Sequence, residues 1–325
     1  MKTDILKTDT LYDNFLNTIK EKIPQKSVLA STLSQILNIE KEAVYRRLRR
    51  EVPFTFAEVA IIAHYLGISI DFIVGSVSHR SRPFNLKIID FIDSEEVDFE
   101  MSEHFLNIID STKEVENTEH ASALNMIPAS LYLNYDHILR FYIFKWKYQY
   151  ENGNSLVRFR DIHPSEQLIT TMKQTPSIAR HATNTFYIWD DRIFEAIVSD
   201  IIYFHTIRLI TDEEKAQLKK DLLLLLEEIE HLAVTGEFAP GKKVQFYITN
   251  VHFETSYAYI DGIRHKMSII KAFTMNEVIS TDLVAFELVK KWMQSMKRTS
   301  TLISESGEMQ RTLFFNKQRE IIDQL

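Results

Sequence analysis

The chain contains no cysteine, and only seven glycines and seven prolines occur in its 325 residues. The lack of cysteine excludes disulfides, thiolate nucleophiles, iron–sulfur clusters and thiolate zinc sites. The scarcity of glycine and proline predicts a helix-rich protein with few tight turns. The glycine-containing motifs GxGxxG, GxxxxGK[ST] and GxSxG are also absent, so the sequence carries no signature of a nucleotide-binding loop or a hydrolase nucleophile.

Long apolar runs are missing as well. The most apolar run covers 222–226 and has charged residues on both sides, whereas a membrane span needs roughly 18–20 apolar residues. The first residues also lack the apolar centre of a signal peptide. We therefore expect a cytoplasmic protein with no membrane partner. Its length allows two domains, each with a hydrophobic core.

The most informative segment is 27–50, which contains four arginines within five residues: Arg46, Arg47, Arg49 and Arg50. Val44 and Leu48 are four residues apart and so share one face of a predicted helix over 40–50. Four neighbouring arginines cannot all be buried. Their side chains must therefore face water or an anion such as a phosphate backbone.

A second helix is predicted just before it, over 27–37. Its apolar residues follow one buried stripe, and Ser27 is positioned to accept from the free amides at its start. Asn38 lies in the connection, where a tight turn requires a residue that tolerates a left-handed backbone. A third helix follows, with a capping box at Thr55 and Glu58 and a C-cap at Gly67.

The residues at 29–30, 37–39, 44–48, 58–60, 63–69 and 72 together resemble the helix-turn-helix domain of the phage-repressor-like (Xre-type) bacterial transcriptional regulators. The resemblance covers about a sixth of the chain. Two positions depart from it: Asn38 replaces the usual turn glycine, and Glu40 replaces the usual Ser or Thr cap. The resemblance implies that the base-reading positions are Lys41, Glu42, Tyr45 and Arg46. Glu42 leaves the base preference open, because a carboxylate accepts from cytosine N4 but repels phosphate.

Charge distribution supports DNA as the partner. Residues 24–82 hold eight lysines and arginines against five acidic residues, a net charge of +3, while the whole chain carries −7. A positively charged domain within an acidic protein is typical of docking to a polyanion. We expect phosphate contacts from five residues of this segment: Lys26, Ser27, Arg47, Arg49 and Arg50. Arg80 and Arg82 either add phosphate contacts or belong to a solvated hinge.

The expected fold is mainly α with a small antiparallel sheet (α+β). A five-helix helix-turn-helix bundle would occupy 1–78, with its last helix over 68–75, and a linker 79–83. A larger helical domain over 84–325 would provide dimerisation and sensing. Within it, strands are predicted over 244–251, 255–260 and 266–273 as a hairpin or meander, and a capping box at Thr211 and Glu214 starts a long helix. The segment 112–125 is interpreted as a loop.

Catalytic and metal-binding patterns are weak in the C-terminal region. A single Glu-x-x-His, Glu228 to His231, lacks the second copy that a di-iron bundle uses. Two acid–histidine neighbours, Asp161 with His163 and His252 with Glu254, are explained by chance among eleven histidines. The aromatic residues of 134–150 follow one helical stripe, which favours core packing or a dimer face over base stacking. We therefore expect no enzyme, no metal and no cofactor.

The predicted function is that of a sequence-specific transcriptional regulator on double-stranded DNA. A single domain makes few base contacts, each discriminating by roughly 1–3 kcal/mol, so a homodimer on two half-sites is expected. A small-molecule or protein effector could act through the C-terminal domain. The alternatives are a protein–protein adaptor whose bundle does not bind DNA, and an enzyme domain fused to a DNA-binding anchor.

Overall fold

The computed structural model describes residues 8–70, 73, 84–86, 118–150, 157–252, 255–262, 266–272 and 277–325. The chain divides into two compact units, Met1–Phe84 and Asn85–Leu325. The predicted linker 79–83, with Arg80 and Arg82, lies outside the described residues.

Four helices are described in the N-terminal unit: Thr8–Lys22 (α1), Lys26–Leu37 (α2), Lys41–Leu48 (α3) and Phe56–Leu66 (α4). Their inward faces share one apolar core that includes Leu16, Ile19, Leu33, Val44 and Ile62. The helices predicted before and after Asn38 are therefore confirmed, and the prediction that Val44 faces inward is correct. Half of the predicted fifth helix, 68–75, lies outside the described residues, which leaves that prediction untested.

The connection between α2 and α3 has the backbone that its sequence predicts. Asn38 adopts a left-handed conformation, with φ 52° and ψ 47°. The amide of Ile39 donates to the carbonyl of Ser34 at 3.2 Å, and the Ser34 hydroxyl donates back to the Ile39 carbonyl at 2.6 Å. These bonds fix where helix α3 starts relative to α2.

We expect the left-handed backbone at Asn38 to govern the tolerance of this position. Asn38→Val should cost about 1–2 kcal/mol, because a residue with a β-carbon strains in this region and a β-branched one strains most. Asn38→Gly should be neutral or slightly stabilising. All three tryptophans lie in the C-terminal unit, so hydrogen exchange of α2 and α3 amides is the appropriate measurement. Equal protection in the two variants would contradict the argument.

The ends of these helices test the predicted caps. The capping box is present: the Thr55 hydroxyl accepts from the Glu58 amide, and the Glu58 carboxylate accepts from the Thr55 amide. Gly67 closes α4 with φ 60°, as predicted. The prediction for Ser27 is wrong, because α2 already begins at Lys26 and its N-cap residue, Gln25, makes no side-chain cap bond.

The C-terminal unit combines seven described helices with a sheet. The helices are Ala129–Tyr132 (α5), Asp136–Tyr150 (α6), Glu166–His181 (α7), Glu195–Thr206 (α8), Asp212–Thr235 (α9), Leu283–Thr299 (α10) and Glu308–Ile322 (α11). The strands are Asn85–Leu86 (β1), Glu119–Leu124 (β2), Asn184–Asp190 (β3), Glu237–Ala239 (β4), Lys242–Thr249 (β5), Tyr257–Asp261 (β6), Lys266–Lys271 (β7), Glu277–Ser280 (β8) and Thr301–Leu302 (β9). The α+β class is confirmed.

The sheet is larger than predicted, and it is mixed. Its described strands run in the order β1-β8-β7-β6-β2-β3-β5-β4, and β9 pairs with β5. The three central strands β2, β3 and β5 are parallel, while β6, β7 and β8 pair in antiparallel fashion. The strands predicted at 244–251, 255–260 and 266–273 are present. However, the first of them, β5, does not pair with β6, so the predicted three-stranded meander is wrong at that step.

The sheet separates two apolar layers of unequal size. One face packs against α5–α9 and α11 in a large core that includes Phe144, Trp146, Tyr187 and Phe246. Among the described helices, α10 covers the other face, through Phe286 and Met293. The capping box at Thr211 is confirmed at the start of α9. The segment interpreted as a loop, 112–125, instead contributes β2, whose last four residues are buried.

Candidate nucleic-acid interface

The recognition-type helix α3 presents a polar face opposite its buried one. Val44 is in the core and Leu48 packs against it. Lys41, Glu42 and Arg46 are exposed, while Tyr45 is half-buried and partly packed on the core. Three of the four predicted base-reading side chains are therefore open to solvent, and the fourth is partly accessible.

The starts of α2 and α3 both expose positive charge. Lys26 is the first residue of α2 and Lys41 is the first residue of α3. Neither lysine forms an ion pair within the part of the chain that the structure describes. Ser27, in the first turn of α2, is also exposed. Helix starts carry free amides and the positive end of the helix dipole, so this geometry suits an anion such as phosphate.

Arg47 is the exception among the arginines, because it points into the unit. Its Nε and Nη2 donate to the two carboxylate oxygens of Glu58 at 3.2 and 2.8 Å, and its Nη1 donates to the Ala43 carbonyl at 3.1 Å. The guanidinium also lies 5.9 Å from the ring centre of Phe54. The two ion-paired side chains are only 17% and 15% exposed.

The Arg47–Glu58 pair is linked to the capping box of α4. Burial tends to raise the pKa of the Glu58 carboxyl, but hydrogen bonds from Arg47 and from the Thr55 amide outweigh it and lower the pKa. The guanidinium is occupied on all three of its nitrogens. The predicted phosphate contact of Arg47 therefore conflicts with its position, which joins α3 to α4.

The other three arginines are about half exposed, but each is already ion-paired. Arg49 contacts Glu51 and Glu42 at 2.7 and 3.0 Å, and Arg46 contacts Glu51 at 3.5 Å. Arg50 contacts Asp13 of α1 at 2.8 Å. From the sequence, these carboxylates entered only the net charge, and their pairing with the arginines was not predicted. The short spacing from Arg49 to Glu51 is the one signal that could have indicated a local pair.

Arg50 also has an unusual backbone. Its φ is 66°, in the left-handed region that favours glycine. Its amide donates to the Arg47 carbonyl at 3.0 Å, and the next amide donates to the Arg46 carbonyl at 2.9 Å. This geometry closes the C-terminus of α3 and is common just after a helix end. The chain therefore accepts a strained arginine where glycine would fit better, and its charge is directed outward.

The weaker site candidates of the C-terminal unit have structural partners. Glu228, the acid of the Glu-x-x-His sequence, accepts from Tyr135 at 2.6 Å and Arg180 at 2.5 Å. Asp161 accepts from the Arg158 amide at 3.2 Å. His252 pairs with Asp190, and Glu254 lies outside the described residues.

The described residues show neither a metal-binding cluster nor a membrane-spanning helix. They contain no group of three or more His, Asp and Glu side chains placed to hold a metal ion. No described helix combines the length and the apolarity that crossing a bilayer requires. The aromatic residues of α6, including Phe141, Phe144 and Trp146, are buried in the large core, which confirms the core interpretation over base stacking.

Helices α2, α3 and α4 and the second half of α1 fall within a family region. Residues 16–95 match the BetR domain. This is a helix-turn-helix-like DNA-binding domain family, so the match supports a DNA-binding helix-turn-helix in that region. It spans about a quarter of the chain and leaves most of the C-terminal unit without a counterpart. Comparisons with curated proteins and with solved structures give no match.

Proposed function

We propose that the chain is a sequence-specific, DNA-binding transcriptional regulator of the Xre type, and not an enzyme. The observation that carries the proposal is the coincidence of the BetR match with an α3 whose outer face is polar and open. A helix of this kind, set by a tight turn against a supporting helix, is the element that enters the major groove in helix-turn-helix proteins.

The proposed contacts fall into two groups. Lys41, Glu42, Tyr45 and Arg46 face the base edges. Lys26, Ser27 and Arg50 hold phosphates and set the register, since phosphate contacts position a protein while base contacts specify the sequence. Arg47 is assigned a structural role. Arg49 is not assigned to phosphate, because its guanidinium lies between two carboxylates.

The C-terminal unit is the proposed site of dimerisation and effector sensing in a bacterial cytosol. Its support is indirect: one short α3 reads few bases, and affinity for one site in a genome requires two such helices on one duplex. Binding of a small molecule or protein to the C-terminal unit would change operator affinity if it favours one arrangement of the two recognition helices.

The test is selection of bound sequences from random DNA with the full chain, followed by affinity measurements against salt. We expect an inverted repeat to be enriched. Lys26→Ala should lower the salt slope by about one unit for all sequences, because one phosphate contact is lost. Arg46→Ala should relax the preference at one base pair of each half-site.

Lys20→Ala provides the control, because it removes the same charge from the exposed end of α1, outside the proposed interface. It should leave the selected motif and the slope unchanged. The ion pairing of Arg46, Arg49 and Arg50 favours the second candidate, a protein–protein adaptor. If no sequence is enriched and the protein is not retained on heparin, the proposal of a transcriptional regulator is contradicted and the adaptor function is favoured.

A further inference from the structure

Three charged side chains of the N-terminal unit form a chain along one side of α3. The carboxylate of Glu51 receives Arg49 on both oxygens, from Nε at 2.7 Å and from Nη2 at 3.5 Å. The same Nη2 donates to Glu42 Oε1 at 3.0 Å. Glu42 and Arg49 are seven residues apart, which places them two turns apart on the same helix face. One edge of the guanidinium is therefore fully occupied by two carboxylates.

Only one of the two carboxylate oxygens of Glu42 accepts a hydrogen bond in this arrangement. Its Oε1 is bound to Arg49, while no described group donates to its Oε2. The side chain is exposed in the first turn of α3, at a position that the proposed function turns towards base edges. A carboxylate with one free oxygen is an acceptor for the exocyclic amine of cytosine, which is a donor in the major groove.

A carboxylate alone is poorly suited to that place. DNA phosphates repel it, and removing it from water in the groove is costly unless it is paired. Arg49 supplies the missing partner, and Glu51 holds Arg49 on the helix. The pKa of Glu51 is lowered, first by the hydrogen bond from Arg49, which fits a pair that stays ionised at neutral pH.

We propose that Arg49 and Glu51 are positioning residues that hold Glu42 for readout of a cytosine. This inference rests on the proposed DNA-binding function and reassigns Arg49 from a phosphate contact to a specificity-determining residue. Arg49 neutralises Glu42 and fixes Oε1, so Oε2 is aimed outward with little freedom. Glu51 keeps the guanidinium from turning to a phosphate instead.

The experiment compares full-chain variants in DNA selection: Glu42→Ala, Arg49→Ala and the double variant, with Lys20→Ala as the control for loss of a positive charge. We expect Glu42→Ala and Arg49→Ala to lose the preference for the same C·G pair of the half-site, by about five- to tenfold each. The double variant should lose no more than either single one, because the two side chains act as one unit. Glu51→Gln should lose part of the same preference.

The outcomes separate this inference from the proposed function. If Arg49→Ala weakens all sequences equally and lowers the salt slope by about 0.9, Arg49 is a phosphate contact and the inference is wrong. If Glu42→Ala leaves every position of the motif unchanged, it is also wrong. If the unsubstituted chain selects no motif at all, the proposed DNA-binding function itself is contradicted, and the inference that rests on it is contradicted with it. Hydrogen exchange of α3 shows whether each variant is still folded.

Discussion

Arg47→Ala is expected to destabilise the N-terminal unit by about 2 kcal/mol, far more than truncation of the preceding arginine, Arg46. The substitution leaves Glu58 largely buried without its charged partner, and breaking a buried pair by removing one side costs several kcal/mol. We reduce that value because both side chains keep some exposure to water, which screens the charge. The measurement is hydrogen exchange of the α3 and α4 amides under native conditions.

Arg46→Ala is the matched control, since it removes an arginine one position earlier whose side chain is half exposed. Its effect should stay within about 0.5 kcal/mol, as for most surface substitutions. The double variant Arg47→Ala with Glu58→Ala should cost less than the two single effects added together, because it leaves no charge unpaired. Equal effects of Arg46→Ala and Arg47→Ala would show that Arg47 is not held as described.

This result also decides how DNA-binding data for Arg47 are interpreted. A loss of operator binding in Arg47→Ala would arise from a loosened junction between α3 and α4. Unfolding of part of the unit lowers the affinity for all sequences through the population of folded molecules. The salt slope of the remaining folded protein should stay the same, which distinguishes this effect from loss of a phosphate contact.

Phe246→Ala is expected to destabilise the C-terminal unit by about 3–5 kcal/mol, the usual cost of emptying a large aromatic site in a core. Phe246 is fully buried on the central parallel strand β5. Its ring stacks on Tyr187 with centroids 5.4 Å apart and contacts Trp189 at 4.9 Å. Both partners lie on β3, so the substitution tests the pairing of β5 with β3.

Urea unfolding followed by tryptophan fluorescence is the measurement, because Trp189 lies directly beside the substituted ring. Val251→Ala is the control: it follows the same strand but is 71% exposed, so its effect should be near zero. If Phe246→Ala cost less than about 1 kcal/mol, β5 would not occupy the centre of the sheet.

The local features of the N-terminal unit could be predicted because each depends on residues close in sequence. Asn38 sets its own left-handed backbone, and Thr55 and Glu58 bond across three residues. The role of Arg47 could not be predicted, because Arg46 and Arg47 are adjacent residues of the same type and the sequence gives no reason to assign them different roles. Their positions differ because Glu58, eleven residues after Arg47, accepts hydrogen bonds from Arg47 and not from Arg46.

In the sheet of the C-terminal unit, three strands were predicted, but only the pairing of β6 with β7 was predicted correctly. Strands β6 and β7 are adjacent in sequence and pair in antiparallel fashion. By contrast, β3 is buried at six consecutive positions, so it shows no alternation, as expected for a strand covered on both faces. Strand β2 has the sequence Glu-His-Ala-Ser-Ala-Leu. Its small and polar residues led to the prediction of a loop. Its alanines are small because α10 and its large side chains fill that face of the sheet.

The position of β2 has a consequence for how the protein is made. Its two neighbours in the sheet are β3, which begins at Asn184, and β6, which begins at Tyr257. During synthesis from the N-terminus, β2 emerges from the ribosome long before either edge can be paired. Contacts this distant in sequence slow folding. The described N-terminal helices, by contrast, have their partners in the shared core within one short stretch, so this bundle can be complete while the sheet still lacks its last strands.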